Sequence, residues 1–368
     1  MADELYETMP GSDEWLSSLI HARDPRDASS RQDEAAQWIR LVDSVSDGRR
    51  CGLYYAYLLS FLDRNLHDPR EVEIAHRLFV QRLTASISWL EDCFWRPILE
   101  GVSPGVKRLI VSVPSWFAMA PLQAACPPGI APSVVPSIRS WIQCENRSER
   151  PSSHSCLLAS PATGLPFATQ EVDTVGQVLG KRGWKTDVAY GASCTRDAVT
   201  RALAEKSVVH FAGHARNQWG SGIGAVLHCA DGELSTDDVH RHVGVSLSRL
   251  VVLSACETGL GYGRGGNEAT GLPASLIELG VATVIASQWP VDDVSTSLLM
   301  SKLYQEWLGG AGIADALQTA RHWLRSLTQD ELAPLMGKTL FPLDLRHRGD
   351  RPFESPYYWA SFTCHGAA

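Results

Sequence analysis

The sequence predicts an α/β sandwich with a mostly parallel central sheet. Two observations carry this. Four short runs, Cys156–Ser160, Ser207–Ala212, Arg249–Ser254 and Val281–Ser287, are dominated by Val, Ile, Leu and Ala. Strands covered on both faces read as continuous apolar runs, whereas a strand with one wet face alternates. These runs also alternate with stretches of helical period, as in the βα units that build parallel sheets.

The elements follow in order. Residues 1–50 are polar and weakly patterned, and read as an N-terminal extension with one or two short helices. From Cys51 to Leu99 the apolar positions, among them Tyr54, Leu58, Leu62, Ile74, Leu78, Leu83 and Leu90, keep helical spacing. Lys107–Val113 is expected as a strand closed by Pro114, and Pro127–Pro136 as a surface loop. After Cys156–Ser160 come a helix at Gln170–Leu179, a strand at Thr186–Tyr190 and a helix at Arg196–Glu205. Ile223–Ser235 reads as a hairpin turning at Asp231-Gly232. Helices at Leu272–Leu279, Val294–Leu308 and Ile313–Leu327 surround the last two apolar strands. The segment Thr328–Glu354 carries Pro334, Pro342, Pro352 and the run RHRGDR at Arg346–Arg351. A loop of that length is usually functional or disordered. The resulting division is an extension over 1–50, a helical first segment over 51–150 and an α/β segment over 151–368.

Composition narrows the function classes. Net charge is −8, with 33 basic and 41 acidic residues, and no Lys/Arg block stands out. Nucleic-acid and membrane-surface binding are therefore not expected. No apolar run approaches the ~20 residues that span a bilayer. The nine cysteines are scattered singly, without the short spacings of a zinc or dithiol motif, so no metal and no cofactor is called for. An odd, dispersed count and an acidic N-terminus suit a cytoplasmic location.

In parallel sheets, sites form at the carboxyl ends of strands. Past SVVHFA comes Gly213-His214-Ala215, and past RLVVLS comes Ala255-Cys256-Glu257-Thr258-Gly259. A thiol is only partly ionised at neutral pH and needs a base to act as a nucleophile. A histidine leaving the same edge supplies one. The alternative is that Cys256 is a small core residue and His214 a turn histidine. His210 lies inside its strand and reads as structural.

Four blocks then match a family. VVHFAGHA, LVVLSACETG, GNEATGLPASLIELGVATVIASQWPVDD and SPYYWASF resemble, in this order, the CHAT domain. That is a caspase-like cysteine protease domain related to separase, caspases and gingipains. VKRLIVSVPSWFAMAPLQAA and SCLLASPATGLPFATQEVDTV extend the likeness upstream, so it covers residues from about 70 onward. The resemblance implies a six-stranded caspase-like sheet preceded by an inactive half-domain. It implies a cysteine endopeptidase with a His214–Cys256 dyad and an oxyanion hole made of the Ala215 and Cys256 N–H groups. Many relatives have Gly where Ala215 stands. The stretch Trp289-Pro290-Val291-Asp292-Asp293 resembles one in separase whose final Asp binds a substrate arginine. This implies that Asp293 favours cleavage after a basic residue. Ser254, two residues before Cys256, is expected to line the substrate pocket, and the carboxyl end of VATVIAS to deliver Ser287, Trp289, Asp292 and Asp293 to the same edge, where Asp292 could take either role. Asp293 could equally cap the following helix.

The partners expected are a protein substrate and an activating protein, as for family members that serve in bacterial defence. Control is expected in Thr328–Glu354 and in the glycine loop Gly259–Gly266, both ordering when a partner binds. The competing function is a catalytically inactive interaction module on the same fold. Gly261-x-Gly263-x-x-Gly266 matches a dinucleotide fingerprint only in isolation, and reads better as a mobile loop.

Overall fold

The computed structural model describes residues 69–113, 120–161, 165–218, 224–256, 258–259, 271–336 and 348–367. The expectations for residues 1–68, for Pro114 and for the loop glycines 261, 263 and 266 fall outside these residues. The chain divides into two compact units, Met1–Phe94 and Trp95–Ala368. The described part of the first unit consists of helix α1, Pro69–Leu90, and most of a single π-helical turn, Glu91–Trp95.

The second unit opens with a short helix, α2 (Arg96–Glu100), and is built on an eight-stranded sheet. Its strands are β1 (Arg108–Val111), β2 (Ala131–Val134), β3 (Ser155–Ser160), β4 (Lys185–Tyr190), β5 (Val208–Gly213), β9 (Leu250–Ala255), β10 (Thr283–Ser287) and β11 (Phe362–Gly366). The spatial order is β1-β2-β11-β10-β9-β5-β3-β4. β10, β9, β5, β3 and β4 run parallel to one another, and β1, β2 and β11 run parallel to one another. The two blocks meet at the antiparallel β10–β11 pair. A separate antiparallel sheet joins β6 (Ala215–Gln218), β7 (Gly224–Cys229) and β8 (Gly232–Leu234). The hairpin is where the sequence places it, with Cys229 opposite Gly232 and Gly232 at φ 136.

Strand burial follows the apolar runs. Every residue of β5, β9 and β10 is buried, because helices cover both faces. On one face pack α3 (Ile138–Ser148), α5 (Arg196–Glu205), α6 (Thr236–His242) and α7 (Leu272–Leu279), through Cys144, Leu203, Val239, Leu276 and Ile277. On the other pack α4 (Pro166–Gly180), α8 (Asp293–Leu308) and α9 (Ile313–Ser326). Local chemistry sets the helix ends. The Thr195 hydroxyl accepts from Ala198 N–H, and Ser235 with Asp238 forms a capping box. Gly280 ends α7 at φ 117, where a Cβ would lie 2.9 Å from the Ser246 carbonyl oxygen.

Three differences from the sequence reading stand out. The 151–368 segment supplies six strands of the sheet, β3, β4, β5, β9, β10 and β11, but β1 and β2 from the first segment extend the same sheet beyond β11. The boundary expected at residue 150 therefore does not interrupt the sheet. The Pro127–Pro136 stretch contains β2 instead of being only loop. Pro132 is tolerated there because the N–H groups on either side, of Ala131 and Val135, serve β1. The missing donor of Pro132 faces β11, which pairs with β2 only at Val134↔His365. Finally, Thr328–Glu354 opens with a helix, α10 (Gln329–Met336). Thr328 and Glu331 exchange side-chain hydrogen bonds at its start. Residues 337–347 lie outside the described residues. A four-residue helix, α11 (Pro356–Trp359), leads into β11.

Candidate active site

The parallel register of β5 and β9 builds the site. Gly213 and Ala255, the last residues of the two strands, are Cα partners. His214 and Cys256 are the next residues of each chain, so they leave the carboxyl edge side by side. Neighbouring strands lie about 4.8 Å apart, a gap that an imidazole and a thiol can bridge. The position before His214 needs a small residue. A Cβ on Gly213 would meet the Pro161 ring at 3.2 Å and the Phe211 ring at 3.3 Å.

His214 is exposed, and its carbonyl accepts the His228 N–H at 3.0 Å. Ala215 pairs with Leu227, so β7 fixes His214 from its C-terminal side. Partial burial, with His228 nearby, holds the imidazole below the ordinary histidine range. It therefore remains neutral to lower pH than a free histidine.

Among the described cysteines, only Cys93 and Cys256 are not buried. Burial pushes the thiols of Cys126 and Cys364 up to about 12 and that of Cys144 to about 11. Cys156 and Cys229 are also raised, Cys156 by burial and Cys229 by its hydrogen bond with Cys194 and by burial. Such thiols are poor nucleophiles. Cys93 lies in the π-helical turn of the first unit, which carries no described strand. Cys256 alone among them combines access with a place beside a histidine.

The turn after Cys256 is tied to the end of β10. The buried Thr258 hydroxyl lies 3.2 Å from both the Leu253 and the Ala255 carbonyl oxygens, and accepts the Ser287 N–H at 3.1 Å. The Ser287 hydroxyl donates to the Ala255 carbonyl at 2.5 Å. The Gly259 N–H donates to the Ser287 carbonyl at 2.6 Å. These contacts were not read from the sequence, although Thr258 stands inside the SACETG block.

The remaining pocket candidates separate. Ser254 is buried beside Ala212 of β5, and its hydroxyl has no hydrogen-bond partner among the described residues. Ser287 is fully buried and committed to Ala255. Trp289 is buried, and its indole N–H donates to the Tyr357 carbonyl at 3.1 Å. Gln288 N–H donates to the Ser361 carbonyl at 2.8 Å. The SPYYWASF block thus braces the chain leaving β10. Asp292, not Asp293, is the N-cap of α8, accepting the Ser295 N–H at 2.9 Å, and it pairs with Arg348 at 3.6 Å. Asp293 is half-buried and accepts the Phe167 N–H, at the start of α4, at 3.1 Å. Burial raises its carboxyl to about 6, against the lowering effect of that bond.

His210 is wholly buried between Glu171 of α4, 2.9 Å from Nε2, and the Tyr304 hydroxyl of α8, 3.2 Å from Nδ1. It ties β5 to the helical layer behind the site. Among the described residues no group of three or more His, Cys, Asp or Glu side chains could hold a metal. None of their helices is long and apolar enough to cross a membrane.

The CHAT domain model matches residues 84–367. The chain belongs to the CHAT domain family. Membership supports a cysteine-protease-like function. No curated protein matches this sequence. Among solved structures, the CHAT chain is similar to the Arg-specific cysteine proteinase gingipain R, at 12% identity and a TM-score of 0.49 over 77% of this chain and 67% of that one. It is also similar to the complex of Porphyromonas gingivalis RgpB pro- and mature domains, at 10% identity and 0.47, over 80% of this chain and 70% of that one. A third is the Saccharomyces cerevisiae separase–securin complex, at 12% identity and 0.49, over 96% of this chain but 20% of the separase chain.

Proposed function

We propose that this CHAT domain is a cytoplasmic cysteine endopeptidase with Cys256 as nucleophile and His214 as base. The observation that carries the reading is the Gly213↔Ala255 register, which releases the two residues from adjacent parallel strands. At neutral pH the His214 imidazole is in the uncharged form, the one that can accept the thiol proton. The thiolate then attacks the scissile carbonyl carbon, and the carbonyl electron pair moves to oxygen. The N–H groups of Ala215 and Cys256 receive that oxyanion. His214 returns the proton to the departing amine and then draws one from the water that hydrolyses the thioester.

In this reading Asp293 selects a basic residue before the cut, and Ser254 lines the pocket floor. Asp292 is engaged in capping, so Asp293 is the acid left for the substrate. Ser287 and Trp289 belong to the frame rather than to the substrate surface. Activation involves a protein partner acting on Thr328–Glu354. In support, Arg348 of that segment reaches Asp292, next to Asp293.

The test is proteolysis by Cys256→Ala, His214→Ala and the double variant, read by mass spectrometry of peptides released from a bacterial lysate. Each single variant is expected to abolish cleavage while keeping the parent's melting curve. The double is expected to be no worse, because the two residues act as a unit. Full cleavage by Cys256→Ala refutes the reading.

A further inference from the structure

Two hydroxyls converge on one peptide group beside the nucleophile. The Ala255 carbonyl accepts from Ser287 Oγ at 2.5 Å and lies 3.2 Å from Thr258 Oγ1. Both side chains are fully buried. Ser287 ends β10, so the Ala255 carbonyl is directed to the β10 side of β9. A trans peptide is planar, and its C=O and N–H point in opposite directions. The Cys256 N–H is therefore directed away from β10, toward β5, the strand that ends at Gly213-His214.

We infer that Thr258 and Ser287 are positioning residues that aim the Cys256 N–H at the substrate oxyanion. The inference rests on the proteolytic reading and deepens it. The carbonyl is held from behind, so the peptide plane cannot rotate without giving up two hydroxyl contacts. The hydroxyls are themselves held. Thr258 accepts the Ser287 N–H, and Ser287 O accepts the Gly259 N–H. The result is a closed set of hydrogen bonds in which every donor and acceptor belongs to the end of β9, the turn after it or the end of β10. A threonine and a serine do this work because each must donate to a carbonyl, and Thr258 must also accept an N–H. Neither residue touches the thiol in this account. They act on the dipole that receives developing charge, and so on bond formation at a carbonyl.

That distinction supplies the test. Iodoacetamide alkylates a thiolate by forming a C–S bond and expelling iodide, a step with no oxyanion. A peptide aldehyde adds the thiol to its carbonyl carbon, giving a hemithioacetal whose oxygen occupies the oxyanion site. The probes are iodoacetamide and a panel of tripeptide aldehydes ending in arginine, leucine or methionine residues. The proteins are the parent, Thr258→Val, Ser287→Ala, Thr258→Ser and Cys256→Ala, each checked by its thermal melt. Alkylation at Cys256 is followed by peptide mapping with Cys93 as the internal reference.

Removal of a direct oxyanion donor costs about 10²–10³-fold, and loosening one should cost less, about tenfold or more in aldehyde affinity. Thr258→Val and Ser287→Ala are expected to show that loss while Cys256 alkylation stays within about twofold of the parent. Thr258→Ser, which keeps the hydroxyl, is expected to restore affinity. Unchanged aldehyde affinity in whichever of the two variants folds overturns the positioning role, as does an equal fall of alkylation and aldehyde binding. If neither folds, a Thr258→Ser protein with tenfold weakened affinity overturns it, and parental affinity there supports it. A parent that forms no Cys256-dependent aldehyde complex overturns the proteolytic reading and this one with it. A parent complex that both hydroxyl-deleted variants retain overturns this one alone.

Discussion

Gly259→Ala is a one-carbon perturbation whose consequences can be worked from the structure. Gly259 is buried in the turn after Cys256, and its N–H donates to the Ser287 carbonyl at 2.6 Å. An added Cβ would stand 2.9 Å from that oxygen and 3.2 Å from its carbon. Ordinary contact begins near 3.4 Å, and the obstructing atoms are backbone, so the turn and the end of β10 must part by about 0.5 Å. Overpacking of this kind costs about 1–3 kcal/mol. Weakening the hydrogen bond adds about 0.5–1.5 kcal/mol. The same displacement reaches Cys256, three residues earlier in the turn. A 1 Å misplacement can cost about 10²-fold in rate, so half of that should cost about tenfold. Urea denaturation measures the first effect and aldehyde affinity the second. Gly180→Ala is the control, since nothing lies within 4 Å of a Cβ there. Stability within about 0.5 kcal/mol of the parent together with full aldehyde affinity would refute the reasoning.

Asp293 gives a pH prediction. Its carboxyl titrates near 6 in the folded protein because burial disfavours the charged form. The folded value lies above the ordinary one, near 4. The stability it contributes is therefore fully present below about pH 4 and is lost as pH rises through about 6. Asp293→Asn, which can still accept the Phe167 N–H, is expected to gain stability over the parent between pH 4.5 and 7.5 in urea titrations. A constant difference across that range would count against the assignment. The buried Glu171–His210 pair gives a second. Glu171→Ala leaves a buried imidazole nitrogen without its partner and is expected to cost about 1–3 kcal/mol, whereas Glu171→Gln keeps an acceptor for Nε2 and should cost clearly less. Equal losses in chemical denaturation would show that packing, not the polar contact, holds the site.

Much of the sheet was legible because buried parallel strands leave an unambiguous trace. SVVHFA, RLVVLS and VATVIAS lie within two residues of β5, β9 and β10, and the helices at Arg196–Glu205 and Leu272–Leu279 have the expected ends. β2 was not legible, because Pro132 argues against a strand unless its imino side is known to face a sparsely paired neighbour. The strand ends pointed to His214 and Cys256, but the register that sets Gly213 opposite Ala255 is a tertiary fact. The Asp292–Asp293 pair shows how fine the limit is. One residue's shift in the start of α8 exchanges the cap with the neighbouring carboxyl, and sequence spacing does not fix helix ends that closely. Glu171 was hidden altogether. Nothing local marks a glutamate whose partner lies 39 residues away and on another element.

The two groups proposed to react are held by different parts of the unit. Cys256 follows β9, and its turn is fastened to β10 through Thr258, Ser287 and Gly259. The chain beyond β10 is fastened in turn to Tyr357 and Ser361. His214 follows β5 and is fastened to β7 through His228 and Leu227. The β5–β9 ladder is the link between them among the described contacts. Changes in the β10–β11 region should therefore act first on the nucleophile and on bond formation at a carbonyl. Changes in the β7–β8 hairpin should act first on the base and on the pH profile. A domain held by a single stiff ladder would not separate the two. One in which each residue is fixed by its own neighbours can lose the alignment of one while the other stays in place.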